Sequence, residues 1–227
     1  MVMPEGTILT RMSRSQRNPG TPESPSASER VARARSIRNP ADAVAVYREW
    51  ASHYDDDVVG SLGFIGGDRI ADLLAEHVTD RTASMIDLGC GTGAAGARLR
   101  THGFETIDGL DISPEMLTVA QGKQIYRELF VVDLLARIPI ADGSYAAAVS
   151  AGTFTSGHVG PEAIAEIVRI LRPQAVVAWV VAGSVWPQFE PAVIAAGIEI
   201  LHRTEEPIRR GGGPEATMLV GRLSRCR

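Results

Sequence analysis

A chain of 227 residues with 44% hydrophobic content is long enough to bury one α/β core and short for two. No apolar run reaches the roughly 18 to 20 residues of a bilayer crossing and no secretory apolar stretch opens the chain, so a soluble, cytoplasmic protein with no membrane partner is predicted. The formal charge of −4 hides an asymmetry: residues 1–40 hold seven arginines against three glutamates, which leaves −8 on residues 41–227, and such a body lacks the basic footprint that holds nucleic acid.

The first 40 residues contain five of the 13 prolines and no sustained period, and read as a disordered basic tail. From Ala41 the spacing turns helical, with Ala43, Tyr47, Trp50, Ala51 and Tyr54 on one face. A second helix is predicted from about Asp68 through Ile70, Leu73, Leu74 and Val78. Residues 41–80 are thus two N-terminal lid helices, and residues 81–227 a core in which strands and helices alternate.

In that core, strands are predicted at 83–88, 106–110, 128–132, 146–150, 175–181, 198–202 and 217–223. Helices fall at 94–101, 114–121 with Ser113 as N-cap, 161–171 ended by Pro173, and 189–196. The wholly apolar run at 175–181 suits a central strand buried on both faces. This alternation predicts a Rossmann-like, doubly wound, mostly parallel seven-stranded sheet with helices on both faces.

Met85 to Gly96 reads MIDLGCGTGAAG. A strand ends at Asp87, the chain turns through Gly89, Cys90, Gly91 and Gly93, and a helix follows whose free N–H groups suit an anionic ligand group. Both GxGxxG and DxGxGxG are spelled here. The carboxylate of Asp87 at the strand end disfavours a dinucleotide pyrophosphate and tolerates a zwitterionic amino-acid moiety. Asp111, 20 residues beyond Gly91, is either a cap of the helix after Ser113 or a ribose ligand. His158 lies in a loop after the fourth strand, on the ligand-binding edge of such sheets, and is a candidate general base. Asp55 to Asp57 read as a solvated loop and Arg209 with Arg210 as a mobile turn; no spacing supports a metal site. Cys90 and Cys226 form no disulfide framework.

DLGCGTG followed by GLDISPEML at 109–117 resembles motif I and the following motif of class I S-adenosylmethionine-dependent methyltransferases, and residues 128–154 resemble the later motifs of that family. YREWASHYDDDV and GHVGPEAIAEIVRILRP resemble a subgroup of small methyltransferase-like proteins. The resemblance implies S-adenosylmethionine as cofactor. Asp87 and the backbone of Gly89 to Gly93 would hold its methionine moiety. Asp111 would accept from the ribose hydroxyls, Ile112 and Met116 would flank the adenine, and Asp133 with Leu134 would meet the adenine amino group. Ala151, Gly152 and Thr153 would line the sulfonium end, with Tyr47 and Tyr54 closing over the cofactor. One departure is that Tyr145, Ala146, Ala147 and Ala148 stand where many relatives carry an acidic residue.

The expected activity is O- or N-methylation of a small organic acceptor, by a monomer or homodimer, with Phe64, Phe154, Trp186 and Phe189 near the acceptor. The alternatives are an NAD-dependent oxidoreductase and a non-catalytic S-adenosylmethionine-binding protein.

Overall fold

A computed structural model describes residues 25–224; the tail expected over 1–24 lies outside the described residues. The tail boundary at residue 40 needs correction, because α1 spans Ala27–Arg35. Its N-terminus is closed reciprocally: Ser26 Oγ accepts from Glu29 N at 3.3 Å and the Glu29 carboxylate accepts from Ser26 N at 2.7 Å. Arg30 then reaches Asp57 at 2.6 Å, and Trp50 Nε1 donates to the same carboxylate oxygen at 2.8 Å. A charge buried with two donors is a fixed joint rather than a solvated one, which corrects the solvated reading of Asp55 to Asp57 at Asp57, while Asp56 stays exposed. They open a π-helical turn, Asp55–Ser61.

Helix α2, Pro40–Trp50, begins at an Asn39 cap with Pro40 in its first turn. Helix α3, Gly66–His77, starts two residues before the expected Asp68. Together α1, α2 and the π turn bury Ala34, Ile37, Ala43, Trp50 and Val58 in a small cluster of their own.

The core alternates β1 (Met85–Leu88), α4 (Ala94–Thr101), β2 (Ile107–Asp111), α5 (Pro114–Gly122), β3 (Leu129–Val131) and β4 (Tyr145–Phe154). It continues through α6 (Ile164–Arg169), β5 (Leu171–Ala182), α7 (Trp186–Ala195), β6 (Ile198–Glu206) and β7 (Ala216–Leu223). The seven strands form one sheet in the order β3-β2-β1-β4-β5-β7-β6. β1 to β5 pair in parallel, and β7 runs antiparallel to both β5 and β6. The predicted architecture is therefore the one formed.

Strand β5 feeds both sides of the sheet. Val177, Trp179 and Val181 enter one core layer, and Val176, Ala178 and Val180 enter the other. Helix α6 ends at Arg169 and not near Leu171, since Leu171 is drawn into the sheet opposite Tyr145. Pro173 sits at the exposed start of β5, where a missing N–H does no harm.

The Tyr145 departure has a structural use. Its hydroxyl donates to the buried Asp108 carboxylate at 2.8 Å, beside a two-pronged contact from Arg127 at 2.9 and 2.5 Å. Glu128 N donates to the same group at 3.1 Å, so β2, the β3 approach and β4 are tied together below the sheet. Asp108→Ala strands these donors and is expected to lower the unfolding free energy by about 3 kcal/mol. Urea denaturation measures this, and an unchanged midpoint would show the network to be stability-neutral.

Candidate active site

Strand order reverses between β1 and β4, so the chain leaving β1 and the chain leaving β4 depart to opposite sides and open a crevice at the carboxyl ends. A cleft of about 740 Å³, counted with the solvent at its open mouth, occupies that place. The floor is the glycine loop, in which Gly89, Gly91 and Gly93 have φ of +65°, +54° and +97°, values an L side chain rarely adopts. A Cβ on Gly89 would collide with Thr153, while one on Gly91 would meet no heavy atom within 4 Å and would project into open space. Gly91 therefore keeps room for a ligand.

Asp111, the last residue of β2, holds this loop in place. Its Oδ2 accepts from Gly91 N at 2.8 Å and its Oδ1 from Ser113 N at 2.9 Å. Asp111 thus supports the start of α5 and also lines the cleft. Burial raises its pKa, and backbone N–H donors from Ser113, Gly91 and Ile112 oppose the rise. Lone pairs remain on the carboxylate for further donors.

Of the predicted residues, the cleft brings together Tyr47, Tyr54, Gly89, Gly91, Asp111, Ile112, Met116, Asp133, Leu134, Ala151, Gly152, Thr153 and His158. Ala151 to Thr153 form an irregularity of β4: Ser150 pairs with Trp179 and Phe154 with Val181, so β4 carries two extra residues. Gly152 permits this with a φ of +84°.

Asp87, Cys90 and Gly93 are not on the cleft wall. Asp87 is buried under the loop, where Tyr126 donates to its carboxylate at 2.7 Å. The same Tyr126 ring would collide with a Cβ on Gly96, so the last glycine of GxGxxG makes room for an aromatic ring. The Cys90 thiol is buried and its pKa pushed up by that burial. The expected acceptor aromatics also need correction. Phe154 and Phe189 are fully buried in the core layer with Trp179, ring centroids 5.3 and 5.2 Å from Phe154, and Trp186 joins them.

Residues before α3 roof the cleft. Tyr54 and Tyr47 line it, their rings 6.2 Å apart, and Asn39, Pro40 and Ala43 of α2 extend the wall. Burial raises both phenols, Tyr54 to about 12. Asp55, next to Tyr54, accepts from Thr92 Oγ1 of the glycine loop at 2.5 Å and pairs with Lys123 at 2.5 Å. Local sequence gave no signal for this clasp, since it joins residues 37 and 68 positions apart. Across the cleft, His158 Nε2 lies 2.9 Å from Tyr47 Oη and Nδ1 lies 2.9 Å from Thr155 Oγ1. Burial lowers the His158 pKa, so the neutral imidazole dominates near neutral pH. Among the described residues no group of three or more His, Cys, Asp or Glu is disposed to hold a metal ion, and no helix is long and apolar enough to cross a membrane.

Residues 86–179 match a family described as "Methyltransferase domain". The human methyltransferase-like protein 27 is 33% identical over 153 residues, covering 66% of this chain and 61% of that protein. The chain thus spans about three-fifths of the length of that relative. The 18S rRNA (guanine(1575)-N(7))-methyltransferase of Saccharomyces cerevisiae is 38% identical over 66 residues, 29% of this chain and 24% of that one. Among solved structures, the 1,6-didemethyltoxoflavin-N1-methyltransferase of Burkholderia thailandensis, with bound 1,6-didemethyltoxoflavin and S-adenosylhomocysteine, superposes with a TM-score of 0.62. It is 18% identical, covers 83% of this chain and 92% of that one, and shares the fold.

The buried Asp87 generates a pH dependence of stability. Burial pushes its carboxyl from an ordinary 3.8 up to about 7. Between those values the folded chain keeps a proton that the unfolded chain has released, so stability falls as pH rises through this window and levels off above it. Asp87→Asn keeps an oxygen for Tyr126 and abolishes that decline. Its urea midpoint should gain on the native chain steadily from pH 4 to 7; a constant offset would show that Asp87 ionises at its ordinary pH.

Proposed function

We propose that the chain is an active class I S-adenosylmethionine-dependent methyltransferase that methylates oxygen or nitrogen of a small organic acceptor, a reading supported by the methyltransferase-domain match over residues 86–179 and by 33% identity to a methyltransferase-like protein. The observation that carries the reading is Asp111: a buried carboxylate at the end of β2, fixed by Gly91 N and Ser113 N and open to the cleft. The free space above Gly91 fits the cofactor's amino-acid end.

Asp111 accepts from the two ribose hydroxyls. Ile112 and Met116 flank the adenine, Asp133 accepts from its amino group beside the Leu134 backbone, and Ala151 to Thr153 line the sulfonium end. Asp87, Cys90 and Gly93 serve from beneath, by holding the shape of the loop. Tyr54 closes the roof. The bound cofactor supplies an electrophilic methyl on a sulfonium whose sulfur leaves neutral, so no acid is needed for the leaving group. The protein's work is alignment, worth up to about 7 to 11 kcal/mol, and exclusion of water by the roof. His158 is the base on which the proton charge released by methylation ends.

A small acceptor is supported by charge. No Lys or Arg lines the cleft, and near its roof Arg33, Arg38 and Arg48 are paired with Glu49, Asp42 and Glu115. An RNA substrate calls for unpaired cations along a groove. With labelled cofactor, transfer is expected to small phenols or N-heterocycles in a screening panel and not to a transcribed rRNA fragment; label in the RNA alone would reverse the acceptor assignment.

Asp111→Ala is expected to weaken S-adenosylhomocysteine binding at least tenfold, about 1.4 kcal/mol, by calorimetry. Affinity equal to that of the native chain would remove Asp111 from the cofactor site.

A further inference from the structure

The imidazole of His158 does not offer a free ring nitrogen. Nε2 is engaged by Tyr47 Oη at 2.9 Å, and Nδ1 by Thr155 Oγ1 at 2.9 Å, with the Ser156 carbonyl at 3.4 Å. These are the hydrogen-bond partners of the His158 ring among the described residues. The Ser156 carbonyl is only an acceptor, which favours the proton on Nδ1 and leaves Nε2 to accept from the Tyr47 hydroxyl. The contact spans 111 positions of sequence and links α2 to the loop after β4, and both residues line the cleft.

We propose that Tyr47 is a catalytic residue that takes the acceptor's proton while passing its own to His158, and that the acceptor is a neutral group with an ionisable O–H or N–H. This rests on the methyltransferase reading above. The X–H electron pair stays on the acceptor for the bond to the methyl group, the acceptor proton moves to Tyr47 Oη, and the Tyr47 proton moves to Nε2. The phenol is regenerated and the positive charge ends on the imidazolium as the sulfonium charge is lost. Tyr47 is thereby moved from the cofactor-closing role to the acceptor side.

The surroundings suit this transfer. The ionisable groups facing the pair are Tyr54 on the roof and Asp111 and Asp133 across the cleft, with no Lys or Arg among the cleft residues. The protein offers no cationic side chain to hold an anionic acceptor, whereas a neutral protic one meets a hydroxyl already aligned with a base. The carboxylates also favour the imidazolium as it forms.

The test is imidazole nitrogen NMR on the full chain, with H158Q locating the His158 signals among the five histidines. The native chain is expected to show Nδ1–H and an unprotonated Nε2. In Y47F, which keeps the packing ring, the Ser156 carbonyl still holds the proton on Nδ1, while the unprotonated Nε2 signal moves and the His158 pKa rises, because a donor to the neutral form has gone. With S-adenosylhomocysteine bound, phenol is expected to shift the His158 signals in the native chain and not in Y47F, while anisole and benzoate leave them in place. A protonated Nε2 in the native chain, identical spectra in Y47F, no response to phenol, or a response to benzoate each overturns the relay. A native chain that binds no S-adenosylhomocysteine overturns the methyltransferase reading itself, a result visible before any phenol is added.

Discussion

The hydrogen bond from Gly91 N to the Asp111 carboxylate, 2.8 Å long, is the constraint on which the cleft depends. It bridges the ends of two adjacent parallel strands, and it holds because the sheet fixes their register: Leu88 lies beside Leu110 and Asp111 beside Val131. Hydrogen bonds to a charged, buried acceptor are stronger than neutral ones. A loop of left-handed glycines has little stiffness of its own, so a fixed acceptor at its centre turns a permissive segment into a defined one. Thr153 reinforces it from the other side, donating to Leu88 O at 3.0 Å.

The roof is held by the same kind of chemistry. Asp57 draws Arg30 of α1 and Trp50 of α2 to one carboxylate, and Asp55, two residues earlier, reaches down to Thr92 and Lys123. A short acidic run thus faces both ways, binding the N-terminal helices to each other and to the loop beneath. Exposed ion pairs contribute little; the Asp57 joint is different because both partners are largely buried, with side-chain exposures of 14% and 11%. Tyr47 and Tyr54 owe their positions over the cleft to this joint.

How much of this was legible follows from the range of each interaction. The glycine loop, Asp111 and the doubly buried strand β5 are written in local spelling, where backbone conformation and two-sided burial dictate residue type within a few positions. The cap signal SASE at 26–29 was equally local, but its setting among prolines and serines masked it, and α1 is held in place by an ion pair 27 residues away. The Asp55 and Asp57 contacts, Tyr126 under Asp87, and the bond from Tyr145 to Asp108 all depend on tertiary placement, which periodicity does not encode. Phe154 and Phe189 show the opposite error: aromatic composition near the ligand edge suggested a binding wall, while the extra residues of β4 turn Phe154 back into the core.

Charge ties these observations to the chemistry. Residues 41–227 carry the chain's negative excess, and the cleft itself presents Asp111 and Asp133 with no cationic side chain. In a partly dry cleft such carboxylates attract a cation far more strongly than in water. A sulfonium cofactor gains from that field, and its neutral thioether product does not. The same carboxylates that favour entry of a charged cofactor therefore also favour release of the spent, neutral one, and they stabilise the positive charge that a proton acceptor in the cleft takes up as the sulfur loses its own.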